Sequence, residues 1–215
     1  MNFEVLDFPC KHGYSDSFIS EDVAQKMESD FPSWDSDAWD KYGTVFESEY
    51  GYKKELNDKA GMPESISNFI KDLESDEFVS RLISATGIED LFIDDGMYGG
   101  GLNIYPPGSQ LTTHIDFNYN NDIQAYRAVN LLYYLNSDWD ESGGCFEFYD
   151  TNLKKQKVIT PKLNTCMFFV TNNSSYHGVS RTSDKFYRKS IAIWYYTKEP
   201  PPNLSVEPHR TLWVK

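Results

Sequence analysis

Cysteine, histidine, positive charge and long apolar runs are all scarce in this sequence. The three cysteines, Cys10, Cys145 and Cys166, are odd in number and form no CxxC pair. That pattern argues against a disulfide framework and a zinc ribbon, and for a reducing compartment. Lys and Arg total 20 against 33 Asp and Glu, a net charge of -13. Such a surface repels phosphate backbones. The basic clusters are no longer than pairs such as Lys53-Lys54. Nucleic acid is therefore not an expected partner. The acidity reads first as a solubilising surface and second as a preference for a basic substrate. No apolar stretch approaches the length of a membrane span. Met1 to Lys11 lacks the basic region and apolar run of a signal peptide. A soluble, cytoplasmic protein with no membrane partner is expected; the oligomeric state is open.

What the chain does contain is aromatic bulk, 16% of its residues, with 15 Tyr and 14 Phe. Stiff flat side chains suit a β-rich core. The 215 residues fit one structural domain. Within it three regions are expected: a helical support over 1–90, a β core over 91–200 and a tail over 201–215. Ser20 is placed to cap a helix through Val23, Ala24 and Met27. Pro63 opens a second helix with Ile66, Phe69, Ile70 and Leu73 on one face. A third follows Ser75-Asp76, with Phe78, Val79, Leu82 and Ile83 apolar and Gly87 at its C-cap. Between the first two, Trp34, Trp39, Tyr42 and Phe46 recur at roughly helical spacing and read as a core-covering segment.

After Leu91 the period changes. Strand-like runs appear at 101–104, 111–115, 128–135, 145–149, 157–159, 165–170 and 189–197, separated by turn signals. Regularly spaced strands without intervening helices imply a sandwich or barrel. The tail from Asn203 to Lys215 is a short appendage with no assigned role.

Two of the four histidines lie in strand-rich contexts. His114 and Asp116 are two apart at the end of a run, so they point to one face. His177 follows the apolar run 165–170 after a short polar turn. Two imidazoles and one carboxylate fill one face of an octahedron and leave three positions open, as non-haem iron(II) oxygenases require. Farther on, Arg188, Ser190, Ala192, Trp194 and Tyr196 share a strand face. A charge, a hydroxyl and a small residue in succession suit a pocket wall. A buried guanidinium needs an anion, and a planar carboxylate is its natural partner.

In this setting the sequence resembles the 2-oxoglutarate/iron(II) oxygenases of the prolyl 4-hydroxylase type, and among them most the hypoxia-inducible-factor prolyl hydroxylases. The resemblance rests on ordered blocks across roughly 99–197. Tyr105-Pro106-x-Gly108 precedes His114-x-Asp116. Leu132-Tyr133-Tyr134-Leu135-Asn136-x-Asp138-Trp139 leads to Ser142-Gly143-Gly144. Then come His177 and Arg188 with Ile191-x-Ile193-Trp194-Tyr195. It implies a mainly β fold with a helical N-terminal part: a double-stranded β-helix, or jelly-roll, packed by helices. It also implies iron(II) on His114, Asp116 and His177, with 2-oxoglutarate as cosubstrate and dioxygen as oxidant. L-ascorbate is implied as an accessory. Arg188 would take the distal carboxylate of 2-oxoglutarate, assisted by Tyr134, with Tyr105, Ser190 and Trp194 nearby. Arg127 is implied beside the substrate, and Tyr119 lies on the loop 117–125 that borders the expected substrate mouth.

The implied reaction is hydroxylation of a prolyl residue in a peptide or protein, releasing succinate and CO2. Hydroxylation of a small metabolite, free amino acid or sugar-linked compound on the same scaffold is the alternative. A non-catalytic binding or sensing barrel is the alternative of another class. By residue type alone, Tyr105, Tyr134 and Trp194 fit a plain core equally, and Arg127 fits a solvated strand edge.

Overall fold

Alternation along the chain after Leu91 builds two facing sheets. The computed structural model describes residues 3–139 and 141–214. Met1, Asn2, Asp140 and Lys215 lie outside the described residues; they belong to the N-terminal segment, the 137–144 turn and the tail read above. The N-terminal part carries β1 (Glu4–Leu6), β2 (His12–Ser15), α1 (Glu21–Asp30), α2 (Ala38–Tyr42), β3 (Gly43–Ser48), β4 (Gly51–Leu56), α3 (Glu64–Glu74) and α4 (Asp76–Thr86). There follow β5 (Phe92–Ile93), β6 (Gly101–Tyr105), β7 (Leu111–Ile115), β8 (Tyr119–Asn120), β9 (Ala125–Tyr134) and β10 (Phe146–Tyr149). The last are β11 (Lys155–Ile159), β12 (Cys166–Val170), β13 (His177–Val179), β14 (Arg188–Thr197) and β15 (Leu212–Trp213).

Two four-stranded runs form the body, ordered β12-β9-β14-β6 and β7-β13-β10-β11. Every pairing within them is antiparallel. Chain order alternates between the runs except at the β10–β11 hairpin, the weave of a double-stranded β-helix. Cross-sheet contacts hold their inner faces together: Phe146 and Phe148 of β10 pack on Phe169 of β12 at 5.6 and 5.7 Å between ring centroids. The fold is thus mainly β, a curled antiparallel sheet backed by a few helices.

The two faces of β14 divide as the sequence predicts. Ile191, Ile193 and Tyr195 join Leu131 and Tyr133 of β9, and Leu135 just after it, in the large core under the helices. From the helices, Ile66, Phe69, Ile70 and Leu73 of α3 and Phe78 and Leu82 of α4 meet them. Each such side chain, fully buried, contributes roughly 1.5–3 kcal/mol. The other face turns inward with Arg188, Ser190, Ala192 and Trp194.

The N-terminal half departs from its helical reading. α1, α3 and α4 stand where expected, with Ser20 and Ser75 as N-caps and Gly87 left-handed at φ 74° as a C-cap. Four strands stand there too. β1 and β2 extend the sheet beyond β12, and the hairpin β3–β4 pairs with β6. The aromatics of 31–52 are therefore not on one helix. Trp39 and Tyr42 lie in the short α2, while Phe46 belongs to β3. Polar residues on both faces of β4 hid its alternation.

The tail departs as well. β15 pairs with β7, Trp213 opposite His114. Among the described residues, no helix is long and apolar enough to cross a membrane.

Candidate active site and metal centre

β7 and β13 run side by side with His114 directly opposite His177. Asp116 follows β7 by one residue, so its carboxylate reaches the same point. One ligand atom from each of the three lies within 4.8 Å of the others. Each imidazole is oriented by its own backbone. Nδ1 of His114 donates to the Thr112 carbonyl at 2.7 Å, and Nδ1 of His177 to the Ser175 carbonyl at 2.8 Å. Placing the protons on Nδ1 leaves both Nε2 lone pairs facing the carboxylate, at 3.4 Å and 3.1 Å. Three acceptors then converge with no proton between them. Asp116 Oδ2 is buried and lacks a hydrogen-bond partner.

Such a cluster is satisfied by a cation. Burial, then the neighbouring His177, depresses the His114 pKa, so its ring stays neutral. Burial alone would raise the Asp116 carboxyl; positive charge beside it, from imidazolium or from a cation in its place, takes it well below its usual range. Both groups are thus in the protonation state a metal needs. Aromatic rings fix the ligands: Phe146 stacks on His177 at 5.2 Å and 12°, and Trp213 lies 4.6 Å from His114.

A cavity of about 360 Å³ opens from this cluster, and Arg188, Tyr105 and Ser190 line it with the triad. Arg188 is 2% exposed. Its Nε donates to the Gly144 carbonyl at 2.7 Å, Nη1 to Ser190 Oγ at 3.4 Å and Nη2 to the Tyr134 hydroxyl at 3.3 Å. Among the described residues no carboxylate lies within ion-pair distance of it. A buried guanidinium with only neutral partners is poised for an anion. Tyr134 stands behind Arg188 rather than on the cavity wall, and burial keeps its phenol above the ordinary pKa. Tyr105 presents its ring 5.0 Å from the guanidinium.

Arg127 is not a solvated edge charge. It is 1% exposed and sandwiched between Phe117, at 3.3 Å, and Trp194, at 3.8 Å, from carbon to ring centroid. Its Nη2 donates to the Tyr98 carbonyl at 2.7 Å, while its buried Nε has no partner. Trp194 also donates to the Gly99 carbonyl at 3.0 Å. Tyr119 sits farther out, on the wall of a second cavity of about 840 Å³. The two cavities share Phe46, Tyr98, Phe117, Thr211 and Trp213.

Residues 100–196 match the family model of the 2OG-Fe(II) oxygenase superfamily. Those residues, a little under half of the chain, read as a 2OG-Fe(II) oxygenase domain. A stretch of 91 residues, 41% of this chain, is 32% identical to Egl nine homolog 1 of Rattus norvegicus and covers 25% of that protein. The match thus spans about a quarter of that relative's length. The fold of the oxygenase domain recurs in a Pseudomonas putida prolyl-4-hydroxylase, with 16% identity, TM-score 0.62, and 87% of this chain and 93% of that one covered. It recurs also in a Trichoplax adhaerens prolyl hydroxylase solved with a hypoxia inducible factor oxygen degradation domain peptide fragment. There the identity is 19% and the TM-score 0.60, over 86% and 83% of the two chains. Iron(II), 2-oxoglutarate and dioxygen are the reactants this domain family implies, and the acceptor triad fits the metal.

Several wall residues of the oxygenase domain's cavity escaped the sequence reading. Lys53, Glu55 and Asn57 line it from β4 and its end, Phe46 from β3, Trp213 from the tail, and Asn103 and Asn130 from β6 and β9. The available signal was the i, i+2 spacing of Lys53, Glu55 and Asn57. His12 and His209 lie outside the triad: His12 packs against Phe148 at 4.7 Å, and His209 belongs to the tail.

Proposed function

We propose that this chain is an iron(II)- and 2-oxoglutarate-dependent dioxygenase that hydroxylates a prolyl residue in a peptide or protein. Succinate and CO2 are the co-products. The observation that carries this reading is one cavity with three bare acceptors at one end and a carboxylate-free buried arginine at the other. His114, Asp116 and His177 hold the metal. Arg188, backed by Tyr134 and Ser190, takes the distal carboxylate of 2-oxoglutarate, and Tyr105 packs along it. Iron(II) with bound 2-oxoglutarate supplies, on reaction with dioxygen, an oxidant able to break an unactivated C–H bond. The protein's part is orientation and shielding. Phe146, Phe169 and Trp213 pack on the ligand histidines and keep water from them. Arg127, fixed between Phe117 and Trp194, offers its free Nε–H to a substrate carbonyl. Tyr119 guides the substrate in the outer cavity.

A peptide is favoured over a free amino acid by the outer cavity, whose volume exceeds that of any single residue. We further propose that 91–200 is the catalytic core, that 1–90 supports it and that 201–215 completes its rim. L-ascorbate serves as accessory reductant and the protein works in the cytoplasm. A screen of proline-containing peptides and small metabolites for iron-dependent succinate formation tests the proposal. Stimulation by a proline peptide, with product one oxygen atom heavier, is expected. Stimulation by small metabolites alone would replace the peptide reading, and no metal-dependent turnover would leave a binding barrel.

A further inference from the structure

A chain of net charge -13 gathers three largely buried cations, Lys53, Arg127 and Arg188, around one cavity. Among the described residues, only Asp116 and Glu55 oppose them on its wall. Arg188 and Arg127 have assignments above. Lys53 has none. It projects from β4, one residue beyond the Lys54–Ile104 pair of the β4–β6 ladder. That register sets it beside Tyr105, which pairs on its other flank with Arg188 of β14. The Lys53 ammonium lies 5.7 Å from the Tyr105 ring centroid, and the Arg188 guanidinium carbon 5.0 Å from it. Two cations thus flank one phenol ring on the inner face of adjacent strands.

We propose that Lys53 is a second carboxylate-binding residue of the cavity, contacting the 2-oxo acid end of the cosubstrate while Arg188 holds the distal end. This rests on the cosubstrate reading given above. An ammonium has three donors. Lys53 gives one to Glu55 at 2.5 Å and one to Asn103 at 2.8 Å. The third is left for a ligand. β4 lies between β6 and β7, the strand that carries His114, and Lys53 lines the same cavity as the triad. A buried lysine without a counter-charge tends to lose its proton. Glu55, two residues on and on the same face, keeps this one charged and directed inward. The two carboxylate carbons of an extended five-carbon diacid lie about 5 Å apart, a span that two cations on either side of one ring can serve.

The test is calorimetric titration of the protein loaded with manganese(II), which does not support turnover, using 2-oxoglutarate and oxalate. Oxalate presents a chelating acid end but no distal carboxylate. Lys53→Met alone would leave Glu55 unpaired and repel any anion, so the informative variant is Lys53→Met/Glu55→Gln. It should bind both acids about tenfold or more weakly, as loss of one charge-assisted hydrogen bond implies. Arg188→Met should lose 2-oxoglutarate affinity and keep oxalate affinity. Lys53→Arg should recover oxalate binding to within a few-fold. Oxalate affinity within twofold of wild type in the double variant would overturn the inference, because Lys53 would then only neutralise Glu55. If that variant is too unstable to titrate, Lys53→Gln/Glu55→Gln, which removes both charges and keeps two polar side chains side by side, decides the point the same way. Wild-type protein that binds neither acid with metal present would remove the cosubstrate reading itself.

Discussion

The metal end of the cavity and its mouth are built on different principles. At the metal end, each histidine is set by a carbonyl two residues upstream, 2.7 and 2.8 Å away. Those ligands come from adjacent antiparallel strands. At the mouth, nothing is local. Trp213 stacks on Tyr50 at 4.5 Å and 3°, joining the tail to the tip of the β3–β4 hairpin. Phe46, 6.2 Å from Trp213, lines the same opening. The chemistry sits where the backbone is over-determined. The surface proposed above to meet the substrate sits where two flanking segments meet by ring packing, so each end is expected to fail in its own way.

The largest effect is expected at the metal end. Asp116→Ala should weaken metal binding by at least ~100-fold, more than the loss of a supporting hydrogen bond, and abolish 2-oxoglutarate decarboxylation. Equilibrium dialysis and a succinate assay measure both, and retained turnover would place the metal elsewhere. Arg188→Ala should raise the 2-oxoglutarate requirement roughly tenfold to hundredfold, from charged hydrogen bonds of about 1.5–3 kcal/mol, with little change in metal affinity. An unchanged requirement would mean the cosubstrate is anchored by another group.

The hairpin's attachment can be broken separately. Gly101 has φ 94°, and a Cβ there would collide with the Leu56 carbonyl of β4. Gly101→Ala should lower stability by about 1–3 kcal/mol in thermal unfolding; a wild-type midpoint would mean β4 does not depend on that close approach. At the mouth, Trp213→Ala removes stacking worth roughly 0.5–1.5 kcal/mol. Substrate KM should rise several-fold, with a smaller loss of metal affinity because Trp213 also packs on His114; a wild-type KM would remove Trp213 from the mouth.

The smallest effect concerns the thiols. Burial, against an opposing backbone hydrogen bond, pushes Cys10 up to about 12, and burial raises Cys166 well above its ordinary value. Cys145 is also raised, but it is only half buried. Because a raised thiol pKa keeps the unreactive neutral form as pH climbs, alkylation at pH 8 should label Cys145 first. Equal labelling of Cys10 would show that the β2 edge opens.

What could be read from sequence follows the same divide. The i, i+2 spacing of His114 and Asp116 and the polar face of Arg188 and Ser190 are properties of single strands, so they were legible. β13 has only three residues, too short to show a period, although its first residue is a ligand. β4 carries Lys53 and Glu55 into the cavity and so lacks the apolar alternation that marks a strand. β15 is two residues long and owes its place to β7, about 100 positions earlier in the chain. Arg127 looked like a surface charge because nothing in its own strand announces the two rings that enclose it. Pairing across long sequence separation is invisible to local patterns, and the mouth of this site consists of such pairings.

The most direct measurement is anaerobic addition of iron(II) and 2-oxoglutarate, followed by absorption spectroscopy. Chelation of iron by the 2-oxo acid should give a metal-to-ligand charge-transfer band in the wild-type protein. The band should be missing in Asp116→Ala, and in Arg188→Ala it should appear only at higher 2-oxoglutarate. No band in the wild type, or a band of equal intensity in Asp116→Ala, would contradict the assignment of this cavity as the iron and 2-oxoglutarate site.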